Sequence, residues 1–423
     1  VLHKRLRGFS ERFPGWRLTL MDIVFPGRLH NPARIDALLQ REQSPFEELY
    51  KELLGPILAQ YRPNTVLVSV AYLSQLVAAI ELVRFLHDKG IDAVVGGSLP
   101  NSLASTGQGL KTFEQVFPRL VTGDGMALVS SDPAEHLLDR LDWPALLNTK
   151  PYLSSRPIVP LALSTGCFWR RCLFCPDREL PFHGVPQKAL EQFLRNTPAS
   201  IAATRPVYHL LDSALPPKQL GRFLPLARDH AVAFYGFARP TASLLRDHLL
   251  RDAADAGLIM LQLGVESGSR ELLDRFDKGL DPKVAERVVR SAAEYGVRTY
   301  LYLLFGLPTE NEHHRETTMD FVARNADDVD FLNLSLFNLP RYSELTDRAD
   351  EFDIIKGDFP RDDTIRLYWP FASKNASPRE DGRQFLSKRF EAHPRIRPVV
   401  RQTPRWLRAA HLALMRIDGR RAV

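Results

Sequence analysis

Cysteine is nearly absent from this chain of 423 residues, which contains only three. An odd count that small rules out a disulfide framework. No apolar run approaches the roughly 18 residues needed to cross a membrane, so no membrane partner is expected. Internal repeats and low-complexity tracts are missing too, and no secretory leader is read at the start, so the expected location is a reducing cytoplasm. What remains is a composition with 44% hydrophobic and 25% charged residues. That balance describes a globular chain of two or three domains and excludes disorder, collagen and coiled coil. The net charge of +6 is uneven: residues 383–423 carry eleven basic against two acidic side chains. A solvated helical face is the ordinary reading of such a tail, and charge alone does not imply a nucleic-acid partner.

Apolar periodicity divides the chain into an α/β series, a linker, a second α/β series and an irregular end. The first domain, residues 1–135, begins with a basic amphipathic helix at Val1–Phe13. A strand at Arg17–Val24 ends on Asp22, and a helical stretch follows at Ser44–Gln60. Strands at Thr65–Val70 and Ile91–Val95 flank a helix at Gln75–Lys89, and a short strand at Leu120–Thr122 runs into Gly123-Asp124-Gly125. Strands separated by helices argue for a parallel, doubly wound, Rossmann-like sheet, with ligands at its carboxyl ends. The domain opens on a helix where a strand belongs. Its first strand is therefore missing from the reading, and either the domain is incomplete or its start lies upstream.

Residues 136–158 read as a linker. A second series spans 159–345, with strands at Pro160–Ser164, Val207–Leu211, Val232–Phe237, Met260–Val265, Thr299–Phe305 and Phe331–Phe337. Helices are expected at Leu220–His230, Ala242–Ala256, Pro282–Tyr295 and Glu312–Ala326. Six strand–helix repeats suggest a partial (β/α)6 TIM-like barrel, whose chemistry belongs just after the strands. Residues 346–423 form a small basic C-terminal extension with a helix at Arg405–Arg416. Its aromatics, with Tyr342, suggest a substrate cap: Tyr368, Trp369, Phe371, His393 and Trp406 either line the barrel mouth or form a small core over it.

All three cysteines, Cys167, Cys172 and Cys175, lie within nine residues directly after the first barrel strand. Thiolates grouped this closely in a reducing compartment indicate a metal centre, zinc or an iron–sulfur cluster. Zinc needs a fourth ligand, for which His183 is nearest. Three thiolates without a fourth suit a cubane cluster with one iron left open.

The segment from Ser164 to Cys175 resembles that of the radical S-adenosylmethionine (radical SAM) enzymes. Phe174 holds the family's aromatic position before the last cysteine, although the first gap has four residues, Phe168 to Arg171, where three are usual. Gly264-Val265-Glu266-Ser267-Gly268-Ser269, with Lys278-Gly279 beyond it, is similar to the family's fourth-strand segment. Tyr302 to Glu310 resembles its fifth-strand segment. The resemblance implies that Cys167, Cys172 and Cys175 hold a 4Fe-4S cluster whose open iron takes the amino and carboxylate groups of S-adenosylmethionine. It further implies that Asp212 and Ser213 meet the methionine amino group, although two family glycines are missing there. Arg239 would pair with the carboxylate, Glu266 or Ser267 with the ribose, while Phe174, Leu304 and Gly306 would pack the adenine. The family's reaction reduces the cluster by one electron and cleaves the sulfonium to a 5′-deoxyadenosyl radical, which abstracts a substrate hydrogen. An electron donor such as flavodoxin or ferredoxin is implied as a partner, with a small-molecule or peptide substrate.

A doubly wound domain before such a barrel is similar to the cobalamin-binding group of this family. On that resemblance Ser69, Ala71, Tyr72, Ser74, Gly96, Gly97 and Gly123 lie near a corrin. No Asp-x-His-x-x-Gly motif offers a histidine for cobalt. With every cysteine used, neither an auxiliary cluster nor a methyl-carrying cysteine pair can be built. The expectation is a radical SAM enzyme with cobalamin, acting in C-methylation or rearrangement of a secondary metabolite. A domain that kept its fold and lost its corrin stays open, as does a non-catalytic, metal-stabilised RNA-binding protein.

Overall fold

The computed structural model describes residues 8–18, 23–41, 44–104, 108–123, 125, 128, 156–374 and 377–403. Residues 1–7 of the first expected helix, Asp22, Asp124, nearly all of the linker, the helix at Arg405–Arg416 and Trp406 lie outside them. The chain divides into two units, one comprising Val1–Pro133 with Asp358–Pro370, the other Ala134–Gly357 with Phe371–Val423.

In the first unit, β1 (Thr65–Ser69) and β2 (Asp92–Gly96) pair in parallel across helix α1 (Leu76–His87). Leu120 adds a single parallel bridge to Val95, so the expected third strand is reduced to one residue pair. The apolar face of α1, with Leu76, Val77, Ile80 and Leu86, packs into a core with Val68, Val70, Val95 and Leu99. The helix expected over Ser44–Gln60 is two helices, Phe46–Leu53 and Gly55–Tyr61. Pro56 explains the break, since it has no N–H to donate and its ring clashes with the preceding turn. The described sheet has two strands, and a complete doubly wound domain is not evident.

In the second unit six strands form one parallel sheet in chain order: β3 (Ile158–Leu161), β4 (Val207–Leu210), β5 (Ala233–Ala238), β6 (Leu258–Glu266), β7 (Arg298–Phe305) and β8 (Phe331–Leu336). Helices α2 (Gln187–Arg195), α3 (Pro217–Asp229), α4 (Leu249–Asp255), α5 (Pro282–Glu294) and α6 (Glu312–Arg324) alternate with them. The strands end close to the positions read from sequence because their apolar runs stop at polar residues or glycine. Alternation along each strand divides the side chains between two cores. Leu210, Phe234, Leu261, Leu263, Leu301, Leu303 and Leu332 pack with the helices, while Val207, Tyr235, Met260, Tyr300 and Phe331 cluster on the other face. Burial on both faces makes such parallel strands nearly continuous apolar runs.

One expected helix fails. Ala242–Ala256 is two short 3-10 turns followed by α4, because Asp247 (φ 49°) and His248 (φ 59°) are left-handed and interrupt the helical path. Of the extension's aromatics, Phe371 packs edge-on against Phe337 in the second unit, and Trp369 packs on Phe359 in the first. Tyr368 is exposed, Tyr342 is half-buried, and His393 accepts the Arg395 amide through Nδ1.

Candidate functional site

Beyond β3 the chain makes a closed loop. Ser164–Thr165 pairs antiparallel with His183–Gly184, so the cysteines sit on an arm whose two ends are tied together. Gly166 closes it at φ 70°, where a Cβ would lie 2.3 Å from the Pro181 carbonyl oxygen. Asp212, at the end of β4, fixes the start of the arm: its carboxylate accepts the Leu163 amide at 3.0 Å and the Ser164 hydroxyl. Ser213 donates to Asp177, which follows the last cysteine. Leu173 is buried, donates its amide to the Phe276 carbonyl and accepts the Leu345 amide.

The Cys172 thiol is buried, and Cys167 and Cys175 are half-buried. Burial pushes the Cys175 thiol up to about 12, reinforced by the Asp177 carboxylate and then by Cys172 and Cys167. The thiols are thus electrostatic neighbours that resist ionising together, and a metal's positive charge is what would deprotonate them. For Cys172 burial again dominates, opposed by Lys278 and Arg239. A zinc ion would need a fourth ligand beside the three thiols. His183 is exposed. A cubane, where each thiolate binds a different iron, uses the three and leaves one iron open.

Arg239, directly after β5, is 4% exposed. One terminal nitrogen donates to the Lys278 carbonyl and, at 3.4 Å, to Gly279, while the other faces Cys172 Sγ at 3.8 Å. Trp169 covers the guanidinium at 4.3 Å, and its indole N–H donates to the Asp277 carbonyl. These contacts fix the guanidinium in place without using all five of its N–H donors. Arg239 Nε is buried without a partner among the described residues, a donor that fits an acceptor from outside the protein.

Glu266 ends β6 in a left-handed conformation (φ 64°), and its carboxylate accepts Lys278 Nζ at 2.8 Å. The Ser267 hydroxyl lies 2.9 Å from Thr318 Oγ1 and accepts the Ser269 amide, so it braces the loop. Leu304 is half-buried. Gly306 donates its amide to Glu310 at 2.6 Å. Phe174 meets Phe276 and Phe337 edge-on.

In the first unit, Ser69, Gly96 and Gly97 gather at the carboxyl ends of β1 and β2, with Ala71, Tyr72 and Ser74 following β1. Tyr72 is 69% exposed. Gln75 accepts the Ala71 and Tyr72 amides, and Asn101 exchanges two hydrogen bonds with the Gly123 backbone. Gln75, Asn101, Trp169, Lys278 and Glu310 were given no role by sequence reasoning. Gln75 and Glu310 stand where a strand leads into a helix and Trp169 follows the first barrel strand, whereas Asn101 lies inside a helix and Lys278 between two, where no such signal exists.

Residues 161–322 match the sequence model of the Radical SAM superfamily. No curated protein matches the chain. Among solved structures, the cobalamin-dependent S-adenosylmethionine radical enzyme OxsB with aqua-cobalamin bound superposes with a TM-score of 0.58 at 16% identity, covering 96% of this chain and 71% of that one. OxsB with aqua-cobalamin and S-adenosylmethionine gives 0.55 at 15% identity, over 76% of this chain; the match spans only 58% of the OxsB chain. The radical S-adenosylmethionine methyltransferase TsrM from Kitasatospora setae, with cobalamin and a [4Fe-4S] cluster bound, gives 0.55 at 15% identity, covering 88% and 92%. At such identities the likeness is one of fold. Residues 161–322 are therefore a Radical SAM superfamily domain, the type that carries a 4Fe-4S cluster and S-adenosylmethionine, within a fold similar to those of cobalamin-dependent members.

Proposed function

We propose that this protein is a radical SAM enzyme that uses cobalamin in C-methylation or rearrangement of a secondary metabolite. The carrying observation is the trio of neighbouring thiols on one tied arm at the carboxyl end of β3, inside the superfamily match. When bound, the cluster and S-adenosylmethionine supply a 5′-deoxyadenosyl radical to a substrate hydrogen. The chain's own groups do the positioning. Cys167, Cys172 and Cys175 hold the cluster, while Asp212 and Ser213 set the arm that presents it. Glu266 and Ser267 stand on the ribose side, Phe174, Leu304 and Gly306 on the adenine side, and Arg239 Nε offers one donor. Ser69, Ala71, Tyr72, Ser74, Gly96, Gly97 and Gly123 would border a corrin. A small molecule or peptide is the substrate class, and flavodoxin or ferredoxin the kind of electron donor.

A second reading, in which the first unit binds no corrin, is favoured by its two described parallel strands and single bridge. Anaerobic reconstitution with iron, sulfide and hydroxocobalamin separates the two. About four irons per chain, a corrin band surviving desalting and 5′-deoxyadenosine formed with reductant are expected, and Cys172→Ala should lose the iron and the product. Four irons without corrin would favour the second reading, while zinc in place of iron would refute both.

A further inference from the structure

The pocket beside Cys172 holds an unbalanced charge. Arg239 is 4% exposed, the Lys278 side chain 6% and that of Glu266 15%. Glu266 pairs with Lys278, and Arg239 has no carboxylate partner among the described residues. Glu266 is shared with Lys278, so a further negative charge close to Arg239 would offset the cost of burying the two cations together. The nearest group able to supply it is Cys172 Sγ, faced by an Arg239 terminal nitrogen at 3.8 Å.

Arg239 is also held in that orientation. Its other terminal nitrogen is anchored by the Lys278 and Gly279 carbonyls, and Trp169 lies over its face. Trp169 belongs to the four-residue gap between Cys167 and Cys172, one longer than the usual family spacing. Arg170, at φ 51°, turns the chain there, and the indole seats in a notch at Gly279, where a Cβ would fall 2.0 Å from Trp169 Cζ2.

We infer that Arg239 acts on the iron–sulfur cluster, as a charged donor to the Cys172 ligand that favours the reduced state, with Trp169 and Lys278 as its positioning residues. This rests on the cluster assignment above. When one electron enters from an external one-electron donor, no protein bond breaks and the cluster gains one unit of negative charge. A fixed cation beside a ligand sulfur stabilises that state more than the oxidised one, because hydrogen bonds to sulfur and local charge set cluster potentials.

The test is a dithionite titration of the reconstituted full chain, without S-adenosylmethionine, followed by electron paramagnetic resonance. Arg239→Gln is expected to bind the same iron but to show a tenfold lower ratio of reduced to oxidised cluster at a fixed solution potential, about 59 mV for one electron. Arg239→Lys should recover most of the loss. Should Arg239→Gln fail to bind iron, Trp169→Ala decides: it is expected to shift the midpoint the same way, and an unchanged midpoint overturns the inference. Arg239→Gln with full iron and the wild-type midpoint overturns it too, and would limit Arg239 to S-adenosylmethionine affinity. Wild-type protein that assembles no cluster refutes the underlying reading instead.

Discussion

Glu310 shows how one side chain can tie stability to pH. It is buried, accepts the Gly306 amide, and lies 3.6 Å from Arg315 Nη1. Burial pushes its carboxyl up to about 7 despite the opposing Gly306 and Arg315 contacts. An unfolded glutamate ionises near about 4.3. Between that value and 7 the folded protein retains a proton the unfolded chain has lost, so stability falls as pH rises through this window. Above it both states are ionised and the effect levels off. Glu310→Gln should flatten the decline between pH 5 and 7 in urea unfolding; an unchanged slope would assign the dependence to other groups. Asp212 gives a prediction of different kind. Asp212→Ala would leave the buried Leu163 amide and Ser164 hydroxyl without their acceptor, a loss of about 1–3 kcal/mol, and should lower iron retained after reconstitution. The three cysteines were legible because their chemistry is carried by residue type and spacing. The partners of Arg239 were not, since Lys278 lies 39 residues away and only the folded sheet brings them together.

At the scale of elements, sequence served the long parallel strands well, since β-branched and apolar runs ending at polar residues are visible without tertiary context. It could not reveal the ladder of Ser164–Thr165 with His183–Gly184, because two residues a side show no period. The break at Asp247-His248 was equally hidden: both residue types enter the left-handed region more readily than most, but neither announces it without a turn motif around it. The cysteine arm depends on such a local feature. Gly166→Ala would place a methyl against the Pro181 carbonyl at positive φ, so the arm cannot close as it stands. The variant is expected to keep the far-ultraviolet circular dichroism of the wild type while losing most of its reconstituted iron. Full iron content would show that the closure is dispensable.

For the whole molecule, chain order and unit membership part company. Asp358–Pro370, read from sequence as part of the C-terminal extension, groups with the first unit. Residues 346–423 show no regular apolar period, so sequence could not indicate where this piece packs. Ile365 is fully buried in the first unit's core, and its amide donates to the His30 carbonyl. Asp363 accepts Arg366 at 2.9 Å, and Asp362 pairs with Arg34 at 3.2 Å. The first unit is thus completed by residues that follow the Radical SAM domain in the chain, so its folding must await them. Ile365→Ala should destabilise it by about 2–5 kcal/mol, the range for emptying a buried aliphatic site. Hydrogen exchange locates the loss: amides of β1 and β2 should exchange faster, while those of β6 and β7 keep their protection. Faster exchange confined to β6 and β7 would place Ile365 in the wrong core. Replacing Asp362 and Asp363 by Ala together with Ile365 should reproduce the pattern more severely, because the buried isoleucine and both carboxylates are then removed at once.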